Sequence, residues 1–164
     1  MAKLTFFCGK MGAGKSTLAR KVAAQNQAVL LNEDEWLASL FPGQIISLDD
    51  YVRFSSRLKV PVKGLVQSML AAGTDVVMDF PANTMAQRAW FRELLDATSA
   101  EHELVFLDLS DATCLARIEQ RRLVEPARAA TDTADMFAAV TRYFQAPTAS
   151  EGFNVVSAEK MGAG

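Results

Sequence analysis

A run of eight residues near the N-terminus has the residue types and spacing of a phosphate-binding loop. Residues 9–16 read Gly-Lys-Met-Gly-Ala-Gly-Lys-Ser and fit G-x-x-x-x-G-K-[ST] in full. Glycines are needed because such a loop turns its backbone N–H groups inward, in conformations that a Cβ resists. We expect Lys15 to reach the β- and γ-phosphates of a nucleotide and the Ser16 hydroxyl to bind Mg²⁺. The predicted nucleotide-binding residues are Gly9, Met11, Gly12, Ala13, Gly14, Lys15, Ser16 and Thr17.

The rest of the sequence narrows the class of nucleotide-dependent protein. It contains no Asn-Lys-x-Asp, the motif with which a GTPase would read guanine. A motor-type ATPase usually ends a strand with an Asp-Glu pair whose Glu activates water, but here Asp79 is followed by Phe80. The hydrolase interpretation is therefore weakened, and a phosphotransferase is favoured.

Two carboxylates follow predicted strands and are candidates for chemistry at the γ-phosphate. Asp34 comes shortly after the second strand, where side chains face the crevice outside the carboxyl ends of a parallel sheet. It is predicted to be the base that accepts the proton of an attacking hydroxyl and to bind that substrate. The alternative is a carboxylate that satisfies N–H groups at a helix start. Asp79, predicted to end the third strand, either holds Mg²⁺ through water and orients Lys15 and Asp34, or caps the turn at 81–84.

Three arginines are candidates for binding the second substrate. Arg53 and Arg57 lie four residues apart, so they share one helix face and could jointly bind an anionic acceptor. Arg88 could reach the acceptor pocket or could lie on the surface. We expect this pocket to be formed between the second and third strands.

Strands and helices must position these side chains. Five short, continuous apolar runs, typical of strands buried on both faces, alternate with longer helical patterns. This order predicts an α/β domain with helices on both faces of a parallel sheet. Pro61 predicts that the second helical region is either kinked or divided into two helices. The predicted strands are residues 4–8, 28–31, 75–78, 104–107 and 153–156, and the predicted helices are 15–25, 49–72, 84–98 and 111–124.

Length and composition limit what the protein can do. The 164 residues suit a single domain, and a net charge of −2 gives no global positive field toward nucleic acid or a membrane surface. No apolar stretch approaches the roughly 20 residues of a membrane span. Cys8 and Cys114 both lie in apolar stretches, which is typical of reduced core residues in the cytoplasm. We therefore expect one cytoplasmic domain over residues 1–164.

The phosphate loop, Asp34 and the Asp79 segment, with the later arginines, resemble the P-loop kinases of the zeta-toxin, chloramphenicol phosphotransferase and polynucleotide kinase type. Nearly the whole chain is also similar to bacterial predicted kinases of the "AAA family ATPase" group. The resemblance implies a three-layer P-loop NTPase fold with a five-stranded parallel sheet of order 2-3-1-4-5, ATP as donor and a hydroxyl acceptor. Polynucleotide kinases carry an arginine where this chain has Leu37, so a nucleic-acid end is disfavoured as the substrate.

The spacing Arg-x-x-x-Arg-Arg, from Arg117 to Arg122, resembles the start of the lid in adenylate kinase-like enzymes. The likeness implies that Arg117 lies near the adenine or the phosphates. It also implies that Arg121 stabilises the charge of the transferring phosphoryl group. The alternative for Arg121 is a solvated basic helix end, which the helix dipole favours. A short lid is predicted from residue 122 to about 133, with Arg128 within it.

These observations predict a phosphotransferase that moves the γ-phosphate of Mg²⁺-ATP to a hydroxyl of a small molecule. Lys15, Asp34 and Arg121 are its predicted catalytic residues. The alternative is a nucleotide-dependent regulatory ATPase that binds a partner protein and has no small-molecule acceptor. We expect no membrane partner.

Overall fold

The computed structural model describes residues 1–127 and 132–161. Two short 3-10 helices, Ala149–Glu151 and Ala158–Met161, flank the last strand. The strands are β1 (Lys3–Gly9), β2 (Val29–Asn32), β3 (Val76–Pro81), β4 (Glu101–Leu107) and β5 (Val155–Ser157). The helices are α1 (Lys15–Asn26), α2 (Glu33–Leu40), α3 (Leu48–Ala71), α4 (Met85–Asp96), α5 (Asp111–Val124) and α6 (Ala134–Thr141).

The five strands form one parallel sheet of order β2-β3-β1-β4-β5, so the predicted order is confirmed. The central strand β1 is buried along nearly its whole length, as its continuous apolar sequence predicts. Because all strands run in the same direction, their carboxyl ends meet at one edge. The phosphate loop follows β1 at that edge, and Asn32 of β2 is paired in register with Asp79 of β3.

Each sheet face carries its own apolar layer, which confirms the three-layer arrangement. On one face, Phe6 of β1 stacks on Phe91 of α4, with ring centroids 4.2 Å apart, and α3 contributes Val66 to the same cluster. On the other face, Val22 of α1 and Ile118 of α5 join a second buried cluster. Helices thus cover both faces, and the loops at the carboxyl edge are left to form a site.

Several elements differ from the sequence predictions. Pro61 lies on an exposed side of α3, which runs from Leu48 to Ala71 as one helix, and the predicted division is wrong. The β3 strand runs to Pro81, so Asp79 lies within it rather than at its end. The helices α2 and α6 were not predicted. Of the predicted lid, residues 122–124 continue α5, and residues 128–131, including Arg128, lie outside the described part of the chain.

No helix in the described ranges 1–127 and 132–161 has both the length and the apolar character needed to cross a bilayer.

Candidate nucleotide and acceptor site

The phosphate loop has the backbone conformation that its glycines predict. Gly12 and Gly14 have φ angles of 82° and 96°, in the left-handed region that residues with a Cβ rarely adopt. Gly14 is the N-cap of α1, and no side chain caps this helix in the part of the chain that the structure describes. The first N–H groups of α1 and the positive end of its dipole are therefore directed at the loop. This is a ready anion-binding arrangement.

Contacts from three other segments hold the loop in place. The Gly9 N–H donates to Asn83 Oδ1 at 2.9 Å, just after β3. Lys10 Nζ donates to Asp111 Oδ1 at 2.8 Å and lies 5.3 Å from the ring centre of Phe144. The Lys10 side chain is therefore turned toward α5. Asn83 and Asp111 were not predicted to support the loop, because contacts across such sequence separations leave no local pattern.

The α5 helix packs directly against the loop. A Cβ on Gly12 would lie 2.7 Å from the Cys114 carbonyl oxygen and 2.8 Å from Ile118 Cγ1. Arg117 Nη1 donates to the Ala13 carbonyl at 3.0 Å. The guanidinium thus lies beside the loop, and its predicted contact with adenine or phosphates stays a prediction.

Arg121, one turn further along α5, is held by a carboxylate. Its Nε and Nη2 donate to the two oxygens of Asp132 at 2.6 and 2.8 Å, a bidentate ion pair. Asp132 is buried, whereas about a third of the Arg121 side chain is exposed. The alternative for Arg121, a basic side chain that is simply solvated at the helix end, does not fit this ion pair. The pair with Asp132 uses two of the five N–H donors of the guanidinium.

The acidic side of the site is organised by Asn32. Its side chain accepts a hydrogen bond from the Glu35 N–H at 3.0 Å, which caps α2, and donates to Asp79 Oδ2 at 2.9 Å. The cap of α2 is therefore Asn32 and not Asp34, which lies exposed on the first turn. The alternative role of Asp79 was to cap the turn at 81–84. The structure shows that Thr84 caps the following helix, α4, with its own hydroxyl.

Glu33 is a buried carboxylate that was given no role from the sequence. It is 1% exposed, and its two oxygens accept hydrogen bonds from the Tyr51 hydroxyl and, at 2.7 Å, from Ser55 Oγ. Burial raises the pKa of the Glu33 carboxyl, and the two hydrogen bonds oppose that rise. Burial and the Glu33 charge raise the pKa of Tyr51 well above its ordinary value. This network fixes the start of α3 against α2.

A cavity of about 260 Å³ opens between α2, the loop after it and the start of α3. Its position between the second and third strands is the one predicted for the acceptor. The lining residues are Asp34, Leu37, Ala38, Phe41, Gly43, Ile45 and Tyr51.

The other predicted acceptor-binding arginines do not line this cavity. Arg53 and Arg57 share a face of α3, as predicted, and both stack on the ring of Phe54, at 4.8 and 5.4 Å from its centre. Arg53 also pairs with Asp50 at 3.3 Å.

Arg88 is completely buried, so the expectation that it lies on the surface is wrong. Its Nε donates to Glu151 at 2.7 Å, and its two Nη atoms contact Glu151, carbonyl oxygens and Cys8 Sγ. All five N–H donors therefore have acceptors within the protein. These contacts make Arg88 a structural residue and leave it no donor for an acceptor molecule.

The residues at the carboxyl edge fit a nucleotide triphosphate by their donor chemistry. The first turn of α1 supplies backbone N–H groups, Lys15 supplies an ammonium and Ser16 a hydroxyl, and no acidic side chain occurs within residues 9–17. The described residues contain no group of three or more His, Cys, Asp or Glu side chains suited to a metal ion.

Comparison with known proteins agrees with this geometry. A family model described as an AAA domain matches residues 4–147. A search of curated proteins gave no significant match. Similar solved structures include a sugar kinase from Janibacter sp. HTCC2649 (TM-score 0.65, 17% identity, 98% of this chain and 90% of that chain). A gluconokinase from Sinorhizobium meliloti 1021 has a TM-score of 0.59 at 16% identity, over 96% and 82% of the two chains.

A third structure is the Mycobacterium tuberculosis APS kinase in complex with AMPPNP and APS. It has a TM-score of 0.62 at 21% identity, over 98% of this chain and 94% of that one. The family match covers far more than half of the sequence, and each of these structures shares the fold. The chain therefore belongs to this AAA-domain family and has the fold of the P-loop kinases.

Proposed function

We propose that this protein is an ATP-dependent phosphotransferase that moves the γ-phosphate to a hydroxyl group of a small molecule. The observation that carries the proposal is the juxtaposition at one sheet edge of a complete phosphate loop and a small cavity lined by Asp34. The fold is shared with a sugar kinase, a gluconokinase and an APS kinase, the last of which was solved with AMPPNP and APS. These likenesses support the reaction type, while the acceptor follows from the cavity.

Each residue of the site has a distinct role in the proposal. The amides of the loop and of the first turn of α1 bind the phosphates, and Lys15 bridges the β- and γ-phosphates. Arg117 keeps the loop closed through the Ala13 carbonyl and faces the nucleotide. Mg²⁺ bound with the nucleotide supplies charge neutralisation, and Ser16 is the residue that would hold it.

The acceptor hydroxyl lies beside Asp34 in the proposed complex. As its oxygen forms a bond to the γ-phosphorus, its proton passes to the Asp34 carboxylate and the bond to the leaving ADP breaks. Arg121 stabilises the negative charge on the transferring group. Asp79 is a positioning residue, because it holds Asn32, which caps the helix that carries Asp34. Such an activity belongs where ATP is available, in the cytoplasm.

The test measures nucleotide binding and transfer separately. Calorimetry with Mg²⁺-ATP gives the dissociation constant, and ADP release with mass spectrometry of products gives transfer to a panel of sugars, nucleosides and amino alcohols. Asp34→Asn should bind ATP as the parent does and lose about 10²-fold or more in transfer. Lys15→Ala should lose ATP affinity. A parental turnover rate in Asp34→Asn would remove this residue as the base.

The same measurements separate the alternative, a regulatory ATPase that acts through a partner protein. Slow ATP hydrolysis that no alcohol stimulates and that a protein alone accelerates would replace the phosphotransferase proposal. Loss of hydrolysis in Lys15→Ala is expected in either case, so the discriminating result is a phosphorylated small-molecule product.

A further inference from the structure

The wall of the cavity beside Asp34 is mostly apolar. Of its seven lining residues, Leu37, Ala38, Phe41 and Ile45 are apolar and Gly43 has no side chain. Its volume of about 260 Å³ lies just below the usual range of drug-sized pockets, which begins near 300 Å³. The cavity therefore suits a molecule smaller than a nucleotide, with an apolar surface on one side.

The charge that the described lining residues carry is negative. Asp34 is the one acidic side chain among them, and none of them is basic. The Tyr51 hydroxyl donates a hydrogen bond to Glu33, so the buried Glu33 carboxyl lies directly behind the Tyr51 wall.

The basic residues Arg53, Arg57 and Lys59 of α3 lie outside the cavity lining, and the charge of Lys59 favours the ionised form of the buried Glu33. Arg53 pairs with Asp50, and both Arg53 and Arg57 stack on Phe54. Lys59, on the same helix, lies over the Trp90 ring at 5.6 Å from its centre. None of the three basic residues is part of the cavity lining.

An anionic acceptor in this cavity would lose water, face a like charge and find no basic side chain among the described residues of the wall. Burying a charge without a partner is costly, and like charges at short range repel. We propose that the acceptor is a small alcohol that is uncharged or cationic and carries an apolar part against Leu37, Phe41 and Ile45. This inference rests on the proposed phosphotransfer, because it names the acceptor class of the same site.

The first test uses alcohols matched in size and different in charge. 4-(Hydroxymethyl)benzamide, 4-(aminomethyl)benzyl alcohol and 4-(hydroxymethyl)benzoate form one such set, and cyclohexyl and short-chain alcohols with the same three substituents form others. With ATP saturating, the neutral and ammonium members should have a kcat/KM at least about tenfold above that of the carboxylate members. Equal or better use of the carboxylate members would overturn the inference.

The second test changes the charge of the wall at Ala38, an exposed position of α2 that lines the cavity. Ala38→Lys and Ala38→Glu place opposite charges on flexible side chains at the same position. Relative to the parent, Ala38→Lys should raise the carboxylate-to-neutral ratio of kcat/KM about tenfold, and Ala38→Glu should lower it. Identical ratios in both variants would mean that the acceptor binds elsewhere, which also overturns the inference.

Failure of this inference is distinguishable from failure of the proposed function. If phosphate is transferred only to carboxylate-bearing alcohols, the protein is a phosphotransferase as proposed, but the inference of an uncharged or cationic acceptor is refuted. Nucleotide binding without transfer to any alcohol of the three charge classes refutes the phosphotransferase, and the acceptor class with it.

Discussion

Alanine in place of Gly12 should reduce both folding stability and nucleotide affinity, and the chain offers a matched control at Gly73. The two glycines have nearly equal φ angles, 82° and 84°. A Cβ at Gly73, just after the end of α3, meets nothing within 4 Å. A Cβ at Gly12 meets the Cys114 carbonyl oxygen at 2.7 Å and Ile118 at 2.8 Å. The variants share the conformational penalty, and only one has the steric overlap.

The expected sizes follow from these two contributions. A left-handed alanine costs about 1 kcal/mol, which is the whole effect expected for Gly73→Ala. Forcing a methyl group against packed backbone adds roughly 2 kcal/mol, so Gly12→Ala should lose about 3 kcal/mol. For a domain of this size, 1 kcal/mol corresponds to a Tm change of about 2–4 °C. We therefore expect Tm to fall by about 2–4 °C in Gly73→Ala and about 6–12 °C in Gly12→Ala.

Thermal unfolding without nucleotide measures the stability difference, and calorimetry with Mg²⁺-ATP measures the binding difference. To relieve the overlap, the loop must move away from α5, which breaks the contact between Arg117 and the loop. We expect the ATP dissociation constant to rise at least about tenfold in Gly12→Ala, or 1.4 kcal/mol, and to stay at the parental value in Gly73→Ala. Equal Tm losses together with equal ATP affinities would refute the account of the loop.

Three further outcomes are expected. Arg117→Ala removes a charged hydrogen bond to the loop and should raise the ATP dissociation constant roughly tenfold, measured by calorimetry. Arg121→Lys loses the bidentate pair with Asp132, which should lower Tm by about 3–6 °C in thermal melts and slow phosphate transfer. Burial raises the pKa of Glu151, but hydrogen bonds, first that from Arg88, outweigh it and lower the pKa below its ordinary value of 4.5. This stabilisation is present above that pH and is lost as pH falls through the lowered pKa. At pH 7, Glu151→Gln should therefore have a lower Tm than the parent in thermal melts. Between pH 7 and pH 3, the Tm of Glu151→Gln should fall less than the Tm of the parent.

The sheet and the phosphate loop were predictable because their signals are local. A strand buried on both faces must be continuously apolar, and a loop that turns its amides inward must use glycine, so both are visible in short windows of sequence. The α2 helix was missed because eight residues beginning with three acids show no clear helical period. Its signal was Asn32 followed by Glu35, the N-cap spacing that the structure uses.

Contacts between distant segments were beyond the reach of such signals. Arg88 is paired with Glu151, 63 residues away, and the sequence around either residue does not predict an ion pair. The same holds for the two arginines on α3, whose spacing correctly indicated a shared face. That spacing could not indicate that both guanidinium groups would stack on the aromatic ring of Phe54.

The separate roles of the two carboxylates at the sheet edge follow from the order in which the chain positions them. Asp79 lies inside a strand, is only 9% exposed and holds Asn32 by a direct hydrogen bond. Asn32 in turn caps the helix on which Asp34 is exposed at the cavity. A change at Asp79 therefore reaches the acceptor side through the angle at which α2 begins. Asp79→Asn can keep one hydrogen bond to Asn32, so it should impair transfer less than Asp79→Ala, and a reversed order in transfer assays would indicate that Asp79 acts through its charge instead.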